Sequence, residues 1–128
     1  MKTGEIYRWI TDKARGHAAR PKIHIFICED DWQFGHTFLF INSNDYGQDF
    51  KISQADYPEC LTKPLSYVSC SEPVFYSADE LKAFQIEGPL GCLTQAHAKE
   101  LFHHIAGHDV MEGRYIKRCC TALAKLMV

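Results

Sequence analysis

This chain contains two long apolar runs, RPKIHIFIC at residues 20–28 and HTFLFINS at residues 36–43. Both are rich in isoleucine and aromatic residues, as strands are, and residues 29–35 between them are mostly polar. This pattern predicts a β-hairpin with a long loop. In the first run Ile23, Ile25 and Ile27 alternate with a more polar set, which predicts one face in the core and the other half polar. The residues of that second face are Lys22, His24, Phe26 and Cys28.

Polar residues stand at the outer ends of both predicted strands. Arg20 begins the first strand, and Asn42, Ser43 and Asn44 end the second. If the strands are antiparallel neighbours, these ends lie close together. A cation beside hydroxyl and amide groups at the rim of a sheet can bind a phosphate. The alternative is an ordinary core hairpin whose ends are polar because they are exposed.

The remaining sequence predicts a mainly β protein with C-terminal helices, an α+β fold in one domain over residues 1–128. Further short strands are predicted at residues 5–11, 49–53, 65–70, 74–76 and 83–87, and the last of them is expected to end at Gly88-Pro89. Residues 42–48 are rich in turn-forming residues, and Ser77 can open a helical turn. One helix is predicted from Thr94 to Gly107 and another from about Arg114. Strands at about 4–88 followed by helices at about 94–127 favour a small, strongly curved antiparallel sheet or barrel.

Composition limits the classes of function. No apolar run approaches the ~20 residues that span a bilayer, and the N-terminus lacks the apolar segment of a signal peptide, so we expect a cytoplasmic protein with no membrane partner. A net charge of −2 argues against broad electrostatic capture of nucleic acid. A local basic site is still possible, because Lys13, Arg15, Arg20 and Lys22 cluster along the chain.

Cysteine and histidine patterns give little support to metal or thiol chemistry. The six cysteines contain no C-x-x-C pair, and four of them, Cys28, Cys70, Cys119 and Cys120, sit in apolar surroundings typical of reduced core thiols. His97, His104 and His108 would share a helical stripe, but Gly107 is expected to end that helix before His108. We predict no metal and no cofactor.

The hairpin ends suggest metal-free cleavage of RNA. This reaction needs a base for the ribose 2′-hydroxyl, a cation for the charge on the phosphate, and an acid for the leaving oxygen. The candidate catalytic residues are Arg20, Ser43 and a histidine, His17 or His24. The candidate RNA-binding residues are Arg15, Lys22, Asn42 and Asn44.

The order of elements resembles the MazF/PemK toxin family. Gly4-Glu5-Ile6-Tyr7 matches the opening of that family, and residues 15–21 match its basic loop ending in Arg-Pro. Residues 38–43 match its second long strand, which ends in a catalytic Thr or Ser, and residues 66–68 match a later strand. The loop before Arg20 is shorter than usual and lacks the Gly-Ser-Glu-Gln of the family.

The resemblance implies an SH3-like barrel, a homodimer, and a metal-independent endoribonuclease that acts on single-stranded RNA and is neutralised by an antitoxin protein. It also implies that Arg20 and Ser43 are the catalytic arginine and hydroxyl. A barrel that kept the fold without the activity would have the same pattern. The second interpretation is therefore a non-catalytic module that binds protein or nucleic acid, of phage or mobile-element origin.

Overall fold

A computed structural model describes residues 1–14, 18–30 and 35–127 of the chain. Its elements, in chain order, are β1 (Glu5–Thr11), β2 (Arg20–Asp30), β3 (Gly35–Asn42), β4 (Phe50–Ser53), β5 (Leu65–Val68), β6 (Val74–Tyr76), α1 (Ala78–Ala83), β7 (Glu87–Cys92), α2 (Gln95–Ala106) and α3 (Gly113–Ala124). None of the helices among these residues is long and apolar enough to cross a membrane.

The strands form one antiparallel sheet in the order β4-β5-β3-β2-β1-β7, built around the β2–β3 hairpin. The C-terminal end of β3 pairs with β5, while its N-terminal part pairs with β6. Because one strand has different neighbours at its two ends, the sheet curls into a half-barrel. This confirms the predicted class, a small, strongly curved antiparallel sheet with helices towards the C-terminus.

The hairpin is apolar on both faces because each face covers a separate core. Ile25 and Ile27 belong to a large core under α2 and α3, which also contains Leu101 and Leu123. On the other face Phe26 belongs to a smaller, mostly aromatic core whose other buried members are Tyr7, Trp9, Phe38 and Tyr76. The predicted alternation therefore holds from Lys22 to Ile27, and neither face of β2 is left to solvent along its centre. It is wrong for Cys28, because the register shifts between Phe26 and Cys28 and Cys28 packs against the large core.

The helix signals in the sequence are confirmed. Thr94 caps α2 by accepting a hydrogen bond from the backbone N–H of His97 at 3.1 Å, and Gly107 ends that helix. Ser77 and Glu80 form a capping box at the start of α1. The segment after α1 differs from what the sequence predicted.

The strand predicted at residues 83–87 is wrong, since Ala83 ends α1 and the strand is β7, Glu87–Cys92. Gly88-Pro89 was interpreted as a strand terminator, but it lies inside β7. This strand is at the edge of the sheet and, among the strands of the described residues, pairs with β1 alone, so the missing N–H of Pro89 is tolerated. Gly88 has a φ of +131°, and a Cβ there would meet Tyr7 and the Ile6 carbonyl, so glycine is required.

The loop after β3, residues 43–49, is held by two aspartates. Oδ1 of Asp45 accepts hydrogen bonds from the backbone N–H groups of Gly47 at 2.9 Å and Asp49 at 3.2 Å. The buried carboxylate of Asp49 accepts from the backbone N–H groups of Tyr46 at 2.9 Å and Cys70 at 3.0 Å. Asp49 therefore ties this loop to the chain that follows β5.

A second set of contacts ties the same loop to the helices. The Gln48 carbonyl oxygen accepts hydrogen bonds from the Nε2 atoms of His104 and His108. The Gln48 side chain donates to the Asp109 carboxylate at 2.7 Å and accepts from the Asp109 backbone N–H at 3.2 Å. The 43–49 loop is therefore fixed on two sides.

Replacing Asp49 by alanine should destabilise the fold, because the N–H groups of Tyr46 and Cys70 would lose their shared acceptor. We expect Asp49→Ala to lower the free energy of unfolding by about 2–4 kcal/mol, measured by urea denaturation. Asp12→Ala is the control, since Asp12 is exposed and accepts no side-chain hydrogen bond within the described residues. Equal stability of the two variants would contradict this account of the loop.

Candidate functional site

A cationic groove of about 790 Å³ opens at the end of the β2–β3 hairpin that carries Arg20 and Asn42. It lies between the start of β2, the end of β3, the 43–49 loop and the segment between β5 and β6. Its polar lining residues are Lys13, Arg20, Lys22, Asn42, Tyr46, Ser69, Ser71 and Glu72, and its apolar lining includes Phe40, Val74 and Phe75. This is the rim of the sheet where the sequence predicted a phosphate site.

Lys22 is the buried cation of the groove, with only 7% of its surface exposed. Its ammonium group donates a hydrogen bond to Oδ1 of Asn42 and lies 5.0 Å from the centre of the Phe40 ring. Burial, together with a smaller effect of the positive charge of Arg20, lowers the pKa of Lys22 to about 8. The hairpin register, with Ile23 opposite Ile41, brings Lys22 and Asn42 together.

Arg20 is half-buried and lines the same groove. Its Nε atom is buried and has no hydrogen-bond partner within residues 1–14, 18–30 and 35–127. Among those residues, neither Arg20 nor Lys22 forms an ion pair with a carboxylate. Two neighbouring cations, one of them desolvated, are unfavourable unless an anion lies beside them.

The other charged residues of the groove differ from this pair. Lys13 is already engaged, because its ammonium group contacts the Glu80 carboxylate at 3.1 Å and donates to the Phe75 carbonyl at 2.7 Å. Glu72 brings one negative charge to the lining and is exposed. The described residues of the lining therefore include three cations and one carboxylate.

The residues predicted from the sequence divide into four groups. The groove brings together Arg20, Lys22 and Asn42. Ser43 and Asn44 follow the last residue of β3, are exposed, and do not line the groove. Arg15 and His17 lie outside the described residues, and His24 is buried.

His24 is a core residue and not a groove residue. Its ring is fully buried and stacks on Trp9, with 3.6 Å between ring centres. Nδ1 donates to the Lys22 carbonyl at 3.0 Å, so Nε2 accepts from the Tyr76 hydroxyl at 2.9 Å. Burial lowers the pKa of His24 to about 3. The ring is thus neutral and without access to solvent, and we do not include it among the catalytic candidates.

The sequence did not point to Tyr46, Ser69 and Ser71 as groove residues. The two serines are brought in by the β3–β5 pairing, in which Asn42 faces Tyr67 and the Ser69 N–H donates to the Phe40 carbonyl at 2.8 Å. Tyr46 belonged to a segment recognised only as turn-forming. A polar Ser-x-Ser directly after a strand was the one available signal, and it is weak.

Metal and thiol chemistry have no support among the described residues, where no group of three or more His, Cys, Asp or Glu side chains could hold a metal ion. Nδ1 of His97 contacts the Tyr57 hydroxyl at 2.7 Å, whereas His104 and His108 contact Gln48. All six cysteines are free thiols. Burial raises the pKa of both Cys70 and Cys119 to about 12, so neither is an activated nucleophile.

No family model matches this chain, and comparisons with curated proteins and with solved structures find no significant match. The resemblance to the MazF/PemK family therefore stays a prediction, and the groove is the feature of the molecule that bears on function.

Removing the charge of Lys22 should stabilise the protein. Because the pKa of Lys22 is lower in the folded state, folded protein binds fewer protons than unfolded protein as pH rises through about 8 towards the ordinary value of 10.5. The stability of the wild-type protein should therefore increase over this range, by on the order of 1–3 kcal/mol from Lys22.

The Lys22→Met variant should not show this increase in stability with pH. At pH 7 it should melt at a higher temperature than the wild-type protein. The measurement is thermal unfolding at several pH values between 7 and 10.5. Lys51→Met is the matched control, because Lys51 is an exposed lysine on β4. If Lys22→Met destabilised the protein at pH 7, Lys22 would be a structural residue and not a strained one.

Proposed function

We propose that the cationic groove binds the phosphodiester backbone of single-stranded RNA and that the protein is a metal-independent endoribonuclease. The observation that carries this proposal is the pair Arg20 and Lys22, adjacent cations that have no carboxylate partner among the described residues. A phosphate in the groove would supply the missing negative charge. The planar guanidinium of Arg20 suits a phosphate that becomes pentacoordinate during cleavage.

The same groove contains groups that could transfer protons. Lys22, whose pKa is lowered to about 8, can exchange a proton near neutral pH, as a catalytic acid or base must. It could fill the role that the sequence suggested for a histidine, although His17 stays a candidate. Ser69 and Ser71 provide hydroxyl groups inside the groove. Ser43 lies outside the groove and could contact RNA only where the bound RNA strand leaves the groove.

Single-stranded RNA fits the groove better than a duplex. The lining offers amide, hydroxyl and aromatic groups beside the cations, and such groups bind bases that are unstacked and turned outwards. If the protein is the toxin of a toxin–antitoxin pair, an acidic antitoxin segment could occupy the same groove and balance the same charges. A homodimer is proposed only on the family resemblance.

A binding module without catalytic activity is the second candidate, and one observation favours it. Two of the four predicted catalytic residues are not available in the groove, since Ser43 lies outside it and His24 is buried. The cation pair would then hold a nucleic-acid or protein anion without cleaving it.

Incubation with a long RNA in EDTA should produce discrete cuts that leave 2′,3′-cyclic phosphate ends. Arg20→Ala should reduce the cleavage rate by about 100-fold or more, because the charge on the phosphate would lose its stabilising cation. Arg8→Ala is the matched control, since the Arg8 guanidinium is paired with Glu87 at 2.7 Å. Ser43→Ala tests whether the serine outside the groove contributes.

Binding measured beside cleavage separates the two candidates. RNA that binds but stays intact would favour the binding module. For two phosphate contacts, the logarithm of the association constant should fall with the logarithm of salt concentration with a slope of about −1.4, and Arg20→Ala should reduce this slope by about 0.7. If neither Arg20→Ala nor Lys22→Met changed RNA binding, both candidate functions would be ruled out.

A further inference from the structure

Tyr46 is a large aromatic side chain that the fold leaves in solvent at the edge of the cationic groove. Its exposed fraction of 70% exceeds that of the other exposed large apolar residues described, Met1, Ile10, Leu65 and Val110. Tyr46 is nevertheless one of the residues that line the groove with Arg20 and Lys22. Within the described chain, its hydroxyl contacts only the side-chain amide of Asn44, at 3.5 Å. Packing within the fold therefore does not explain why an aromatic residue occupies this position.

The backbone that carries Tyr46 is fixed, so the ring is presented from a rigid support. The Tyr46 N–H donates to the buried Asp49 carboxylate, and Asp45 closes the turn through the N–H groups of Gly47 and Asp49. Gln48 is hydrogen-bonded to the segment between α2 and α3, through its carbonyl to His108 and through its side chain to Asp109. Holding a loop in place limits the entropy that is lost when its side chain binds a ligand.

We propose that Tyr46 is a base-stacking subsite, on which one nucleobase of the bound strand lies while Arg20 and Lys22 hold the neighbouring phosphate. This inference rests on the proposed function and names the part of the nucleotide that the groove recognises besides phosphate. A nucleotide combines a flat ring with a phosphate, and the groove offers an exposed aromatic ring beside two cations. Stacking on tyrosine accepts any base, so this subsite provides affinity and places the strand rather than reading its sequence.

Fluorescence anisotropy with 2′-O-methyl RNA octamers tests the subsite without cleavage, because these strands lack a free 2′-hydroxyl. The probes are octamers of adenosine, cytidine and uridine and an octamer of the same backbone without bases. Tyr46→Ala should weaken binding of the base-containing octamers by roughly 5- to 150-fold. It should leave the weaker binding of the abasic octamer unchanged, and Tyr46→Phe should bind like the wild-type protein.

Val110→Ala is the control for loss of exposed apolar surface, since Val110 is 64% exposed and does not line the groove. Equal weakening of normal and abasic octamers by Tyr46→Ala, or no weakening at all, would overturn the stacking subsite. If Arg20→Ala still weakens binding in that case, the proposed function stands without it. If the wild-type protein binds none of the octamers, the proposed function fails and the subsite fails with it.

Discussion

The antiparallel register of the β2–β3 hairpin is the constraint on which the rest of the structure depends. With Ile23 opposite Ile41, the side chains that precede and follow this pair, Lys22 and Asn42, meet at one end of the sheet. A shift by one residue would exchange the two faces of β2, which would move the isoleucines out of the large core. The burial of Ile25 and Ile27 therefore fixes the position of the groove. In this way hydrophobic packing at the centre of the hairpin determines the electrostatics at its end.

A single face of β2 changes its character along its length, and this explains why Lys22 is buried. Phe26 lies in the aromatic core, His24 is enclosed by Trp9 and Phe40, and Lys22 follows at the edge beside Phe40. The aromatic surface that covers the first two side chains extends far enough to desolvate the third. A neutral histidine tolerates this environment, whereas a lysine is strained by it. Perturbed pKa values of this kind are common at functional sites.

The sequence predicted those features that depend on local pattern, and missed those that depend on long-range pairing. The hairpin, the Thr94 cap and the helix start at Ser77 were all predictable, because alternation and capping involve residues close together in the chain. Gly88-Pro89 was misread because an edge strand accepts a proline that a central strand would not, and edge position is a property of the whole sheet. Ser69 and Ser71 reach the groove only through the β3–β5 pairing. His24 was considered as a catalytic group because the sequence does not show that Trp9 covers it.

The net charge of the chain does not describe the local balance of charge inside the groove. A chain with a net charge of −2 repels polyanions at long range, but screening limits that repulsion to about 10 Å at 0.1 M salt. Within a groove the local balance dominates, and the described lining residues of this groove include three cations and one carboxylate. The pairing of Lys13 with Glu80 further concentrates the unbalanced charge on Arg20 and Lys22. The charge that these residues present to an anion in the groove is therefore positive, although the net charge of the chain is negative.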